Sequence, residues 1–368
     1  MDLHLSPNPP RTGLPHALAL LYGLAIVYTS LQPFGDWIDP APGTPFFLFA
    51  HWPTRWFRYD VALNFIAYVP FGFFVALLPR RAAPTVRVAS GACAGLVLSF
   101  AMETLQMYLP MRDASVVDLI ANTIGSVWGG LIAAALARSE GVKRALVTSR
   151  TRLFISGHLG DIGIALLVLW LAAQVNPGIP LFAVTFDPEP GRVLVPAPEA
   201  QEGAALLIEA AESAFQMLGV GLFLSLLLRE RRYVSGAVLV LIGAALMMKG
   251  IAATLVIRPS IWESWQRPGV LMGIAAGALL IPAAIALQRP AMIALCGIAL
   301  LSSVGVPLLA PDLLSARAPL TFFNWRYGQL LNYNGLTRTI LLIWPIFAAT
   351  WLFALAGRPA WGEPDSGT

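Results

Sequence analysis

Charge is the scarcest commodity in this chain. Asp, Glu, Lys and Arg together make up 12% of its 368 residues, about half the share of an average soluble domain. Hydrophobic residues account for 57% and mean hydropathy is +0.70. A soluble fold of this length could not cover its surface with so few polar groups. A soluble enzyme, a nucleic-acid binder and a disordered scaffold are therefore excluded. Lysine is nearly missing: of 24 basic residues only Lys143 and Lys249 are not arginine. The two cysteines, Cys93 and Cys296, both sit in apolar runs, so neither a disulfide framework nor a cysteine metal site follows. With four histidines, the His158/Asp161 pair has too few companions for a metal centre. There is no Walker A, G-x-S-x-G or H-E-x-x-H motif, so no ATPase, α/β-hydrolase or zincin chemistry is implied. No cofactor is expected.

What the chain has in quantity is long apolar runs. Ten of about 20 residues lie near 14–33, 59–78, 88–109, 117–137, 155–175, 204–228, 233–257, 268–287, 291–310 and 338–357. The expected fold is an all-α, polytopic integral membrane bundle of about ten transmembrane helices. Its first four spans (1–137) form one region and six further spans (138–368) a second. The first run could pass for a signal peptide. No small-residue cleavage site follows it, so it reads as an uncleaved span. Alternate loops carry fourteen Lys and Arg on one side and eight on the other. The excess at Arg80-Arg81, 138–154 and Arg229–Arg232 places both termini in the cytoplasm. The net charge of +4 is then a topology signal, and no nucleic-acid partner is expected. The opposite, outer loops are rich in aromatic residues. Trp37, Trp52 and Trp56 lie in 34–58, and Phe322-Phe323-Asn324-Trp325-Arg326-Tyr327 and Asn332-Tyr333-Asn334-Gly335 lie in 311–337. The Pro-rich loop 176–203 carries Asp187, Glu189, Glu199 and Glu202. These loops read as an interfacial aromatic belt or as a platform that stacks on sugar or lipid headgroups.

An ionisable residue inside a span costs at least about 2.5 kcal/mol to insert, so each one is a candidate for function. The densest set is on spans two to four. Asp60 and Asn64 lie one turn apart, as do Asp118 and Asn122, and Glu103 shares a face with Gln106. The turn Pro110-Met111-Arg112-Asp113 supplies a cation beside them. Counting from the expected span ends, Asn64, Asn122 and Glu103 all lie roughly 7–9 Å below the outer surface. Arg112 is expected to neutralise Glu103 or Asp118. The motif D-x3-N-x7-G occurs twice, at Asp60/Asn64/Gly72 and Asp118/Asn122/Gly130, 58 residues apart. This suggests a duplicated helical hairpin whose second helices run parallel.

These residues also carry a resemblance. Asn64-Phe65-Ile66 and Val69-Pro70-Phe71-Gly72-Phe73 are followed by Ser99, Glu103, Gln106, Pro110, Arg112, Ser115, Asp118, Asn122, Gly125 and Gly129. In order and spacing this set resembles the VanZ-like membrane proteins over about residues 15–137. The resemblance implies a bacterial inner-membrane protein tied to the cell envelope, in a family whose namesake is associated with teicoplanin resistance. It carries over motif positions and no catalytic roles. Six further spans follow the resembling region.

In the second region, Glu209, Glu212 and Lys249 fall at matching depths and suggest a buried Glu–Lys pair, serving either helix registration or an ion relay. Three functions are open. The outer-leaflet site Asp60, Asn64, Glu103, Gln106, Arg112, Asp118 and Asn122 could bind a lipid-linked or anionic envelope glycolipid. The repeat and the Glu209–Glu212–Lys249 region could serve an ion-coupled transporter or lipid flippase. Glu103 or Asp118 could act as general base in an integral-membrane enzyme on envelope lipids. The partners expected are membrane lipids and an envelope glycan or lipid-linked precursor.

Overall fold

The computed structural model describes residues 13–32, 34–35, 37–50, 52, 58–79, 82–110, 112–176, 179–184, 202–256, 267–309 and 328–358, with backbone alone at 59, 251–256, 328–332 and 334. Trp56, Arg80, Arg81, Asp187, Glu189, Glu199, the run 322–327 and the side chains of Asn332 and Asn334 lie outside the described residues.

The described fold is all-α. Its helices are α1 (Leu14–Leu31), α2 (Arg58–Ala76), α3 (Pro84–Gln106), α4 (Val116–Arg138), α5 (Glu140–Leu153), α6 (Gly157–Ala173), α7 (Glu202–Leu227), α8 (Val234–Val256), α9 (Pro268–Ile285), α10 (Arg289–Leu309) and α11 (Gly328–Ala356). Eight are long and apolar enough to cross a membrane, and α2 and α6 hold shorter apolar stretches, Asp60–Ala76 and Gly157–Ala173. These ten correspond one for one to the apolar runs of the sequence. Two starts differ by four residues or more, and one helix is added. α3 starts at Pro84, where a first-turn proline has no N–H to leave unpaired. α11 starts ten residues before the expected 338, because an Asn-containing, Arg-bounded stretch is helical without being uniformly apolar. The basic loop 138–154 contains an amphipathic helix of its own, α5.

The chain divides into two compact units, residues 1–150 with 325–336 and residues 151–324 with 337–368. In the first unit α2 and α4 run side by side in the same direction. Gly125 meets the Phe65 backbone and Gly129 meets Val69 and Phe73, both numbers rising together. A Cβ on either glycine would overlap main chain, so only glycine permits this approach. α3 runs the other way between them, with Gly91 against Gly72 and Gly95 against Ser126. Arg87 is buried in α3, and its Nη1 donates to Ala76 O at 3.1 Å. A cation on the last carbonyls of α2 satisfies the helix end and its dipole together.

In the second unit α7 is the central helix, buried along most of its length. α9 packs on it through Gly269, Gly273 and Gly277, which face the carbonyls of Leu206, Ala210 and Ala214. Two rows at a four-residue spacing thus lie in parallel register. α10 runs antiparallel to α7, with the Cys296 thiol donating to Gly219 O at 3.3 Å and Ser303 Oγ donating to Gln216 Oε1 at 2.6 Å. α11 runs antiparallel to α6. Trp344 Nε1 donates to Leu166 O at 2.6 Å and Trp351 Nε1 to Leu159 O at 2.8 Å. Each of these directions agrees with the alternation that successive spans require.

Candidate functional site at the head of the first unit

The site is built where α2 and α4 begin and α3 ends. α4 starts at Ser115, whose extended backbone and hydroxyl cap the helix by accepting from Val117 N at 3.1 Å. The Ser115 N–H in turn donates to Glu103 Oε2 at 2.8 Å. Glu103, 3% exposed, therefore ties the end of α3 to the start of α4 through a hydrogen bond of about 0.5–1.5 kcal/mol.

Because α2 and α4 are parallel and in register, their matching motifs face each other. Asn64 hydrogen-bonds Asp118, and Asp60 lies close enough to repel that carboxylate. All three are half-buried. One turn deeper, Asn122 Nδ2 donates to Ser99 Oγ at 2.9 Å. Deeper still, Ser126 Oγ reaches Tyr68 O at 3.5 Å. The Tyr68 hydroxyl sits beside Ser99 and within electrostatic reach of Glu103, without a well-formed hydrogen bond of its own. Asn122 Oδ1 is likewise buried with no partner. An unpaired buried polar atom costs about 1–3 kcal/mol, so Asn122 Oδ1 leaves an unused acceptor in the floor of this site.

Gln106 and Arg112 serve a different element. Gln106 Nε2 donates to Ser30 O at 3.0 Å and Arg112 Nη2 to Thr29 O at 2.7 Å. Together they cap the last carbonyls of α1, where a cation is favoured by about 0.3–1 kcal/mol. Burial lowers the Arg112 guanidinium from its ordinary value, and the Glu103 carboxylate opposes that shift. Arg112 thus faces Glu103 electrostatically while its hydrogen bond goes to α1.

Beside the site, the segment 37–50 lies along α3. Ile38 N donates to Tyr108 O at 2.9 Å. The short turn Phe47–Phe49 brings Phe46 and Phe47 to 6.0 and 5.8 Å from the Phe100 ring. Phe100 lies about one turn below Glu103 on α3, so this aromatic segment reaches past the level of the site. Phe49, Trp52 and Ile38 are exposed.

Sequence reasoning missed Tyr68. It lies four residues beyond Asn64 and eight beyond Asp60, on one α2 stripe, a spacing that could have flagged it. Its aromatic character hid it among core residues.

The second unit distributes its candidates differently. The carboxylate partner expected for Lys249 is replaced by a ring of three carbonyls: Nζ donates to Gln174, Asn176 and Ile179 O at 3.2, 2.8 and 2.7 Å. Glu209 pairs with Arg267 at 2.6 Å, and Glu212 Oε1 accepts from Val184 N at 2.6 Å. Residues 174–176 and 179–184 are largely buried and mostly non-helical. Such backbone survives at membrane depth only when protein groups satisfy it, and Lys249 and Glu212 do so. His158 is exposed and Asp161 buried. Among the described residues no three His, Cys, Asp or Glu side chains form a metal-binding group.

Comparison with curated proteins and with solved structures returns no significant match. The family model VanZ/LLP1 matches residues 16–137, which are α1 to α4 with the whole polar cluster and the aromatic segment. The chain therefore carries a VanZ-like domain in its first third, within a multi-pass helical protein whose apolar helices α6 to α11 lie beyond the family match.

Proposed function

We propose that the VanZ-like domain is a headgroup-binding module of the cell envelope, taking the polar head of a lipid-linked or surface glycolipid from the outer leaflet of a bacterial inner membrane. The observation that carries this reading is the unpaired buried Asn122 Oδ1, with the Tyr68 hydroxyl near it beside Ser99, beneath the half-buried Asp60, Asn64 and Asp118. Carboxylates and amides at this spacing match sugar hydroxyls, which both donate and accept. Arg112, the cation beside the carboxyl groups of Asp60, Glu103 and Asp118, already holds Thr29 O. That commitment disfavours a phosphate inside the cluster and keeps it at the rim. The aromatic segment 37–50 offers rings alongside for stacking on sugar. A module that holds such a headgroup would change its display at the cell surface, which fits a role of the teicoplanin-resistance type.

The commitments of Glu209, Glu212 and Lys249 to Arg267 and to backbone favour this reading over an ion-coupled transporter. The test is native mass spectrometry of the full-length protein extracted with its own lipids. A co-purifying glycolipid mass should be present in the unaltered protein and lost on Asp118→Asn or Asn122→Leu. An unchanged lipid profile in both variants would overturn the proposal.

A further inference from the structure

Helix α5 has no role in the site, and none of its residues is buried. It is 14 residues long, a length at which an isolated helix is marginal in water. Something must therefore cover one of its faces. On a helical projection Val142, Leu146 and Leu153 form one apolar stripe, with Ala145 and Ser149 beside it. Lys143 and Arg150 flank one edge of that stripe and Arg152 the other; Arg144 and Glu140 lie on the far side. Val142 and Leu146 are 42% and 55% exposed. The helix carries four cations against one carboxylate, and that carboxylate, Glu140, lies 3.5 Å from Lys143.

Chain connectivity decides where this helix can lie. α4 ends two residues before it and α6 begins four residues after it, and both are apolar helices of the bundle. A helix hung between two membrane helices by such short links is held at the headgroup level. Its roughly 21 Å length gives it room to lie flat there. The arginine distribution assigns this side to the cytoplasm.

We propose that α5 is a surface-lying helix that docks on anionic phospholipid, its Val142–Leu146–Leu153 stripe in the acyl boundary and the exposed Lys143 and Arg152 against the phosphates. An apolar stripe bordered by cations is the arrangement that favours an anionic leaflet over a zwitterionic one. Each cation near such a surface contributes about a five-fold preference.

The test uses the full-length protein in nanodiscs of phosphatidylcholine alone, or with about a third phosphatidylglycerol, followed by hydrogen exchange across 140–153. Exchange should be slower in the anionic discs, and that difference should shrink about 25-fold in the double variant Lys143→Gln/Arg152→Gln. Both side chains are exposed, and unchanged exchange in α7 verifies the fold. In the unaltered protein, raising salt from 0.05 to 0.5 M should also erase most of the difference, since the Debye length falls several-fold to about 4 Å. Equal exchange in the two lipids overturns the proposal. So does full protection in lipid-free detergent, which would place a protein surface, such as a second copy, over the stripe.

Discussion

The sharpest consequence of the parallel α2–α4 pairing concerns Gly129. An added Cβ there would collide with main-chain atoms of Val69, Gly72 and Phe73. None of these can rotate away as a side chain would, so Gly129→Ala has to push the two helices apart. Overpacking of this kind costs about 1–3 kcal/mol. The cost should appear as a graded series. At Gly23 the nearest atom to an added Cβ is the Phe71 ring, at 3.2 Å, and a ring can give way, so Gly23→Ala should cost less than about 1 kcal/mol. At Gly243 nothing lies within 4 Å, and alanine should be neutral or stabilising by up to about 1 kcal/mol through helix propensity. Reversible unfolding in bicelles, read by steric trapping, gives all three values on one scale. The same separation would pull Asn64 from Asp118, so Gly129→Ala should also release the co-purifying lipid while Gly243→Ala retains it. If Gly129→Ala proves no more costly than Gly243→Ala, the close in-register approach of α2 and α4 is wrong, and the facing of the two D-x3-N motifs falls with it.

Other substitutions separate binding from scaffolding. Glu103→Gln keeps an oxygen for the Ser115 N–H, so the protein should insert normally and lose no more than about 2 kcal/mol, yet lose its retained headgroup in native mass spectrometry. Ser115→Ala removes the α4 cap and should cost about 0.5–2 kcal/mol in the same unfolding assay. Lys249→Met strips the donor from three buried carbonyls; at about 1 kcal/mol or more each, a loss of at least about 3 kcal/mol is expected, seen as poor yield of folded protein. A Lys249→Met protein of unaltered stability would contradict the stapling role.

Much of the first unit was legible from spacing alone. Asp60, Asn64, Asp118 and Asn122 stand out because charge and amide are costly in a span, and their two-fold occurrence marks two helices that come to lie parallel. Arg112 was legible as the cation of the outer turn beside the cluster but not in its bond to Thr29 O. The carbonyls left over at a helix end are invisible in a string of side chains. The same reason hides the role of Lys249. Sequence offers it two carboxylates on α7, whereas the folded chain offers three main-chain oxygens of residues 174–179. α5 was hidden for the opposite reason: its cations are so effective as topology determinants that the period of the apolar residues between them goes unnoticed.

Scarcity of charge by itself determined that this chain is a membrane bundle of ten apolar helices, because bulk transfer energies depend on composition and run length and on nothing else. It also isolated the few polar residues on which function must rest. Tertiary structure decided which of them act together. It joined Glu103 to the cap of α4, set Asn64 against Asp118, assigned Gln106 and Arg112 to the end of α1 and spent Lys249 on a buried turn. Those choices depend on backbone groups and on glycines that let two main chains touch, and partners of that kind are settled only by how the helices pack.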